Sequence, residues 1–426
     1  VNKLPNIPNS TVTGKGQVES EKRYDGTGGG LRVLLYSHDT FGLGHLQRSL
    51  KISRALKHAF PELSILLVTG SPQVHRYLLP GGIDYIKLPA VRKTADEEYE
   101  PRTPGTSFKR IFNLRSRLLL EAVKQYRPHI LLVDHSPLGM KGEMIPSLEW
   151  HYKHSRDSYA ILGLRDIIDE PAKVIELWKK QHVYDAMRNY YDNILIYGAS
   201  VVFDPVLAYD FPADIIEKTR FCGYITDIDG IIKAENGRGS GNNGKPFVVV
   251  TTGGGDGAGE TVVGNFLEIM KDNRTVPFES LIITGPFVSS NLWTKFRRAV
   301  HDLPTTIRRF VPRTRPYLVR SDLVISTGGY NTTTEVLSFG RRGLVIPRIM
   351  YRQEQLMRAQ RLSSLGLLSL LHPCQAYPEK FFETIKSLLS SPEEPLTSGR
   401  QRKIINMDGA YCLANIFGEM FMKLRK

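Results

Sequence analysis

Three cysteines are spread over 426 residues, at 222, 374 and 412, and none stands in a Cys-x-x-Cys pair. That scarcity excludes a disulfide framework and a structural zinc site built on cysteines, and it suits a reducing compartment. No apolar run approaches the roughly 18 residues a membrane span requires, and residues 1–30 lack the apolar core of a signal peptide. A cytoplasmic protein is the expectation. Other absences narrow the chemistry. The glycines at 253–255 are not followed by Gly-Lys-Ser/Thr, so they form no Walker loop, and they miss the spacing of a dinucleotide fingerprint, which disfavours a nicotinamide cofactor. No helix-turn-helix, RNP-like or zinc-finger pattern accompanies the basic charge, so nucleic acid is not an expected partner.

What the chain does have is 41% hydrophobic residues, enough to bury two cores, and a net charge of +14 that suits an anionic partner such as a nucleotide or an acidic lipid surface. Residues 1–30 are polar and lack apolar periodicity, and they read as a flexible leader. From residue 31, apolar runs of strand length alternate with amphipathic helical stretches. LRVLLYS is followed by HLQRSLKISRALKHA and LSILLVTG, with further strand candidates at DYIKLP, HILLVDH, YAILGLRD, NILIYG and KTRFCGYI. A Gly-, Asn- and Lys-rich linker is expected over 233–245. The alternation restarts at PFVVVTTGGG and runs on through SLIITG, TTIRRFVP, LVISTGG and RGLVIPR. The expected architecture is α/β, with two doubly wound Rossmann-like domains over 31–232 and 246–400 facing a central cleft. A helix over 401–426 could pack back on the first of them.

In such folds ligands sit beyond the carboxyl ends of the strands, and three glycine-bearing strand ends stand there. In FGLGHLQRSL, Gly42 and Gly44 precede His45 where a strand turns into a helix, so the free helical amides could receive an anion and the imidazole a proton. A tight turn whose histidine helps cap the helix fits the spacing equally. In TTGGGDG, Gly253, Gly254 and Gly255 could wrap their amides around a diphosphate or form a surface turn. In ISTGGYNTTTEVLSFG, Thr327, Gly328 and Gly329 open a helix whose first turn offers Asn331 and Thr332 beside unpaired amides, an anion site. Glu335 follows about a turn later, where a carboxylate can accept two ribose hydroxyls or merely favour the helix dipole. Glu354 and Gln355 form an acid–amide pair suited to sugar hydroxyls or to a solvated helix face. In the first half, LLVDHSP and LGLRDIIDEP end strands in polar residues, which puts Asp134, His135, Ser136, Arg165 and Asp166 near the cleft mouth as acceptor-binding candidates. Asp134 or Asp166 could orient the His45 imidazole, although Asp and Ser also serve as loop caps. SFKRIFNLRSRLLLEAVKQY is a basic amphipathic helix that either packs on its sheet or touches an anionic membrane.

In this order (strand-GxGH, linker, strand-GGG, strand-(S/T)GG-x(5)-E, then Pro347 ahead of Glu354-Gln355) the chain resembles the GT-B glycosyltransferases. The nearest branch is that of the peptidoglycan lipid-intermediate N-acetylglucosaminyltransferase and its family 28-like relatives. The resemblance spans nearly all of residues 31–425. It implies a nucleotide-sugar donor, a UDP-sugar, held mainly by the second domain. Glu335 would then take the ribose, and Glu354 and Gln355 the sugar. Thr327, Gly328, Gly329 and Thr332 fall at the diphosphate with Gly253, Gly254 and Gly255 nearby, and Phe310 and Val311 fall at the base. His45 corresponds to a histidine proposed to aid catalysis. The resemblance further implies inverting transfer with neither metal nor cofactor, to an unknown acceptor that is lipid-linked or small, with peripheral contact at the inner face of a membrane. The N-terminal motif lacks the family's denser glycine run, and Gly255-Asp256 stands where a serine is common. GLGHLQRS also resembles a UDP-sugar hydrolase of nonulosonate biosynthesis, in which His45 would activate water. A non-enzymatic anion-binding protein is the third reading.

Overall fold

Short runs rich in Val, Ile and Leu, buried on both sides, form parallel strands, because each needs a neighbour for its backbone and a helical layer for each face. The structure, a computed structural model, describes residues 30–38, 43–95, 98–102, 104–155, 157–227, 244–254, 259–272, 276–350, 352–391 and 403–424. In the first domain β1 (Arg32–Ser37), β2 (Ser64–Thr69), β3 (Ile83–Lys87), β6 (Ile130–Asp134), β7 (Tyr159–Arg165), β8 (Asn193–Tyr197) and β9 (Thr219–Phe221) lie in the order 3-2-1-6-7-8-9. All are parallel. A small antiparallel hairpin, β4 (Val91–Ala95) with β5 (Glu98–Pro101), stands apart from this sheet. The second domain repeats the plan with β10 (Phe247–Thr251), β11 (Glu279–Ile283), β12 (Thr305–Arg308), β13 (Leu323–Ser326), β14 (Arg342–Val345) and β15 (Ser369–Leu370), in the order 12-11-10-13-14-15.

Both sheets reverse winding direction beside their first strand: β1 lies between β2 and β6, and β10 between β11 and β13. The crevice where ligands bind in doubly wound sheets therefore opens at the ends of β1 and β10. Alternation along β1 sends Val33 and Leu35 into one core and Leu34 and Tyr36 into the other. The first of these cores also takes in Tyr330, Leu337 and Leu362 of the second domain, so apolar packing runs through the domain interface.

The helix Gly44–Ala59 is the centre of that interface. It packs on β1 and β2, on the helix Tyr330–Ser338 of the second domain and on the last helix, Gly409–Lys423, where Phe60 meets Phe421 edge to face at 5.4 Å. The basic helix Phe108–Tyr126 is capped by the Ser107 hydroxyl, which accepts from the Arg110 amide, and lays Leu119, Ala122 and Val123 on the first sheet. Its Leu114 and Leu118 stay exposed. Among the described residues no helix is long and apolar enough to cross a membrane. The expected leader up to residue 29 and most of the expected linker lie outside the described residues. The hairpin β4–β5 and the helices Ile145–His154 and Pro378–Ser390 have no counterpart in the elements named from sequence.

Candidate functional site

Parallel pairing fixes which strand ends meet. Tyr36 is opposite Val133, and Asp134 is opposite Gly163, so His38, Asp134 and Arg165 emerge side by side at one edge. The helix Gly44–Ala59 starts directly above them. His45 Nδ1 lies 2.8 Å from Asp134 Oδ2, and the imidazole lines a cavity of about 890 Å³ between the domains. That volume falls near the top of the range for small-molecule sites, about 300–1,000 Å³.

Asp134 does not act on His45 alone. Arg48, one helical turn on, donates Nε to Oδ1 at 2.9 Å and Nη2 to Oδ2 at 2.7 Å. Burial would raise the Asp134 carboxyl, but Arg48 and then His45 outweigh it and hold it far below the usual carboxylate range. An ionised carboxylate only accepts, so the 2.8 Å contact is a hydrogen bond when Nδ1 carries the proton, which leaves Nε2 with the lone pair; Arg48 Nη2, 2.9 Å from the same nitrogen, then gives its proton to Oδ2 and not to the imidazole. Burial lowers the His45 imidazole to about 4; Asp134 opposes that shift, and Arg48 and Arg165 reinforce it. At neutral pH it is an uncharged acceptor.

Two further imidazoles line the same wall. The rings of His38 and His135 lie 5.7 and 5.0 Å from that of His45. Burial drives both well below the ordinary histidine value. A fully enclosed chain supports His38: Arg115 donates to both oxygens of Glu143, Tyr36 donates to Glu143 Oε1 at 2.7 Å, and the Tyr36 oxygen lies 3.3 Å from His38 Nδ1. His135 holds a left-handed backbone at φ +69, uncommon outside glycine, as its amide reaches the carbonyl of Gly163.

The opposite wall comes from the second domain. Gly253, Gly254, Phe310, Val311, Thr327, Gly329, Thr332, Glu335, Glu354 and Gln355 all line the cavity. Gly328 sits just behind it at φ +77, where an added Cβ would lie 2.7 Å from Val345 Cγ1, so only glycine fits this turn. Phe310 lies under the Arg76 guanidinium, 5.2 Å from ring centroid to Cζ, and against the Tyr77 ring. Gly42 and Gly255 lie outside the described residues.

Several residues named from sequence are engaged otherwise than expected. Glu335, expected at a ribose, accepts from Lys51 Nζ at 2.8 Å and from the Thr314 hydroxyl at 3.0 Å. Glu354 is met by Arg165 across the cleft: Nη1 donates to Oε1 at 3.1 Å and Nη2 lies 2.6 Å from Oε2. Burial would raise Glu354, but Arg165, Arg358 and Arg352 hold it down at about 2. Asn331 gives its amide to the Gly44 carbonyl at 2.8 Å, so it ties the domains together rather than presenting a free donor. Gln355 accepts from the Arg348 amide at 3.0 Å and shapes its own loop. Two cleft candidates fall behind the wall. The Ser136 hydroxyl closes a turn onto the Gly139 carbonyl, and Asp166 is bound by Arg358 through both oxygens, at 2.9 and 2.8 Å, rather than by an imidazole.

Arg48, Lys51, His38 and Arg358 escape the sequence reading. The signal available for Arg48 and Lys51 was their recurrence every third residue from His45 along one helix, a spacing that puts them on one face. Among the described residues no group of three or more His, Cys, Asp or Glu side chains is arranged to hold a metal ion. The chain has one Asp-x-Asp triplet, Asp227-Ile228-Asp229, whose last two residues lie outside the described ones.

Two Rossmann-like domains closing on one cleft define the GT-B fold. Residues 247–409 match the glycosyltransferase family 28 C-terminal domain, which, with the fold, supports a glycosyltransferase. Solved structures agree on the fold. The glycosyltransferase of kitacinnamycin is similar with a TM-score of 0.62 at 15% identity, covering 92% of this chain and 100% of that one. A transferase from Siraitia grosvenorii in complex with UDP gives 0.56 at 14%, covering 93% and 100%. The Acinetobacter baumannii MurG gives 0.55 at 12%, covering 91% and 99%. The likeness reaches the fold and does not single out the peptidoglycan branch. No curated protein sequence matches.

Proposed function

We propose that the protein transfers a sugar from a UDP-sugar to an acceptor hydroxyl held beside His45, with inversion at the anomeric carbon. The observation that carries this reading is the His45–Asp134 pair, which opens on a cavity whose far wall is the glycine turn and helix start at residues 327–332. His45 Nε2 takes the acceptor proton as the sugar gains oxocarbenium character, and Asp134 stabilises the imidazolium that forms. The amides at Gly329 and the start of the following helix face the leaving diphosphate, whose developing charge they stabilise. An entering diphosphate also brings negative charge into the cavity beside His45, and so moves His45 upward from about 4 toward the working pH. A UDP-bound neighbour of the same fold supports the choice of nucleotide.

Isothermal titration with UDP and UDP-N-acetylglucosamine tests the donor. Saturable binding of either is expected, and absence of binding to every nucleoside diphosphate sugar tried would overturn the proposal. UDP release measured with water alone and with a panel of hydroxylated acceptors then separates transfer from hydrolysis, with acceptor-stimulated release expected.

A further inference from the structure

Arg48 is almost fully enclosed at the wall of the cavity, and neither the donor nor the acceptor reading above gives it a role. Its guanidinium covers both oxygens of Asp134, and Nη2 also lies 2.9 Å from His45 Nδ1. Since Nδ1–H and Nη2–H point to the same Oδ2, the guanidinium leaves the carboxylate no room to turn away from the imidazole. Aromatic rings from both domains lie near it, Tyr197 at 5.8 Å and Tyr330 at 5.4 Å from Cζ to ring centroid. Tyr330 is itself tied to the first domain, since its hydroxyl donates to the Tyr197 carbonyl and accepts from the Ile225 amide, each at 3.0 Å.

We propose that Arg48 is a positioning residue for the His45–Asp134 pair: it fixes both carboxylate oxygens so that His45 keeps Nδ1–H and a bare Nε2, and its contact with Tyr330 makes this arrangement depend on the docked second domain. The inference rests on reading that pair as the proton-handling group. Charge counting gives it a direction. Arg48 and Asp134 cancel, so a proton on His45 would leave a net positive charge buried. Without Arg48 the same proton would cancel Asp134 and be welcomed. The other groups facing His45 do not reverse this: Arg165 is balanced by Glu354, and His38 and His135 are neutral neighbours on the strand ends. Arg352, which also lines the cavity, adds positive charge that lowers His38 and does not favour a proton nearby.

The test is 15N-histidine NMR on the ligand-free full chain, with the His45 resonances assigned by their loss in His45→Gln. The unmodified protein should show the Nδ1–H tautomer and protonate near pH 4. Arg48→Met should raise the midpoint by about one pH unit or more, a tenfold change in proton affinity. Arg48→Lys keeps the charge but cannot span both oxygens, so a mixture of tautomers is expected. Tyr330→Leu, which removes one supporting ring, should move the tautomer in the same direction by less. An unchanged midpoint and tautomer in folded Arg48→Met overturns the proposal. If that variant does not fold, a pattern in Arg48→Lys identical to the unmodified protein does so. Neither readout uses donor or acceptor. A failed transfer assay beside the expected NMR change removes the functional reading alone, and an unchanged spectrum removes the positioning role alone.

Discussion

Lys51 Nζ lies 2.8 Å from Glu335 Oε1, joining a helix of the first domain to the carboxylate that the family resemblance gives to a ribose. Both side chains are largely enclosed, 5% and 15% exposed, so the pair is held in low dielectric, and a ribose hydroxyl at Oε1 would have to share or displace the lysine. A ribose bound at Glu335, as the resemblance implies, would therefore compete with this ion pair. Glu335→Ala should weaken UDP binding about tenfold, about 1.4 kcal/mol, whereas Lys51→Met should strengthen it several-fold. Titration calorimetry with UDP reads both, and weakening in Lys51→Met would show that the lysine serves the ligand instead.

His45→Gln keeps the bulk of the side chain and removes the basic nitrogen. Turnover should fall by about 10²–10⁴, the usual worth of a positioned general base, with UDP affinity unchanged within about twofold. Initial rates and UDP titrations on the same preparation separate the two effects. A parallel loss of UDP affinity would place His45 in the donor site.

Asp166 and Arg358 are both enclosed and bidentate, and they come from different domains. Asp166→Asn leaves a buried guanidinium without its counter-charge, which typically costs about 3–5 kcal/mol. Urea unfolding should show that loss as a lowered midpoint. A change below about 1 kcal/mol would mean the cleft lets water reach Arg358.

Acid should destabilise the fold well before carboxylates titrate. His45 and His151 are lowered from 6.5 to about 4 by burial, so between these values the unfolded chain binds protons that the native state refuses. Stability is then fully present above about pH 6.5 and falls toward pH 4, by up to about 1.4 kcal/mol per pH unit for each such imidazole. Glu354, lowered from 4.5 to about 2, adds a second loss at still lower pH. Differential scanning calorimetry should find Tm dropping steadily from pH 7 to pH 5, and a flat Tm across that interval contradicts the burial of these rings as neutral groups.

Gly409 starts the last helix against the carbonyls of Gly223 and Tyr224, and a Cβ there would press into main-chain atoms that cannot move aside. Gly409→Ala should cost about 1–3 kcal/mol, as overpacking does, and lower Tm by several degrees. Thermal melts with no loss would show that the helix can start elsewhere.

The alternation of apolar runs and helical stretches made both sheets legible, and polar residues at strand ends pointed to His45, Asp134 and Arg165 because parallel strands deliver their ends to one edge. The partners of those residues were not legible. Arg48 and Lys51 sit inside an amphipathic helix, where cations are ordinarily solvated; here the helix Tyr330–Ser338 packs against theirs and supplies contacts to both, and Glu335 is 284 residues from Lys51. Glu335 and Glu354 were legible as carboxylates at the cleft, but their occupation by Lys51 and Arg165 is a property of how the two domains meet. Ser136 shows the converse limit: a serine after a strand end caps a turn as readily as it faces a cleft.

The packing of Gly409–Lys423 on Gly44–Ala59 also bears on how the chain is made. About 350 residues separate the two helices, roughly 20–70 s of synthesis at about 5–20 residues per second. Through that interval the apolar flank around Phe60 that Phe421 covers has no native partner. The earlier of these two domains to be synthesised is thus completed only after the later one, and its uncovered flank is the surface that a nascent-chain chaperone would meet.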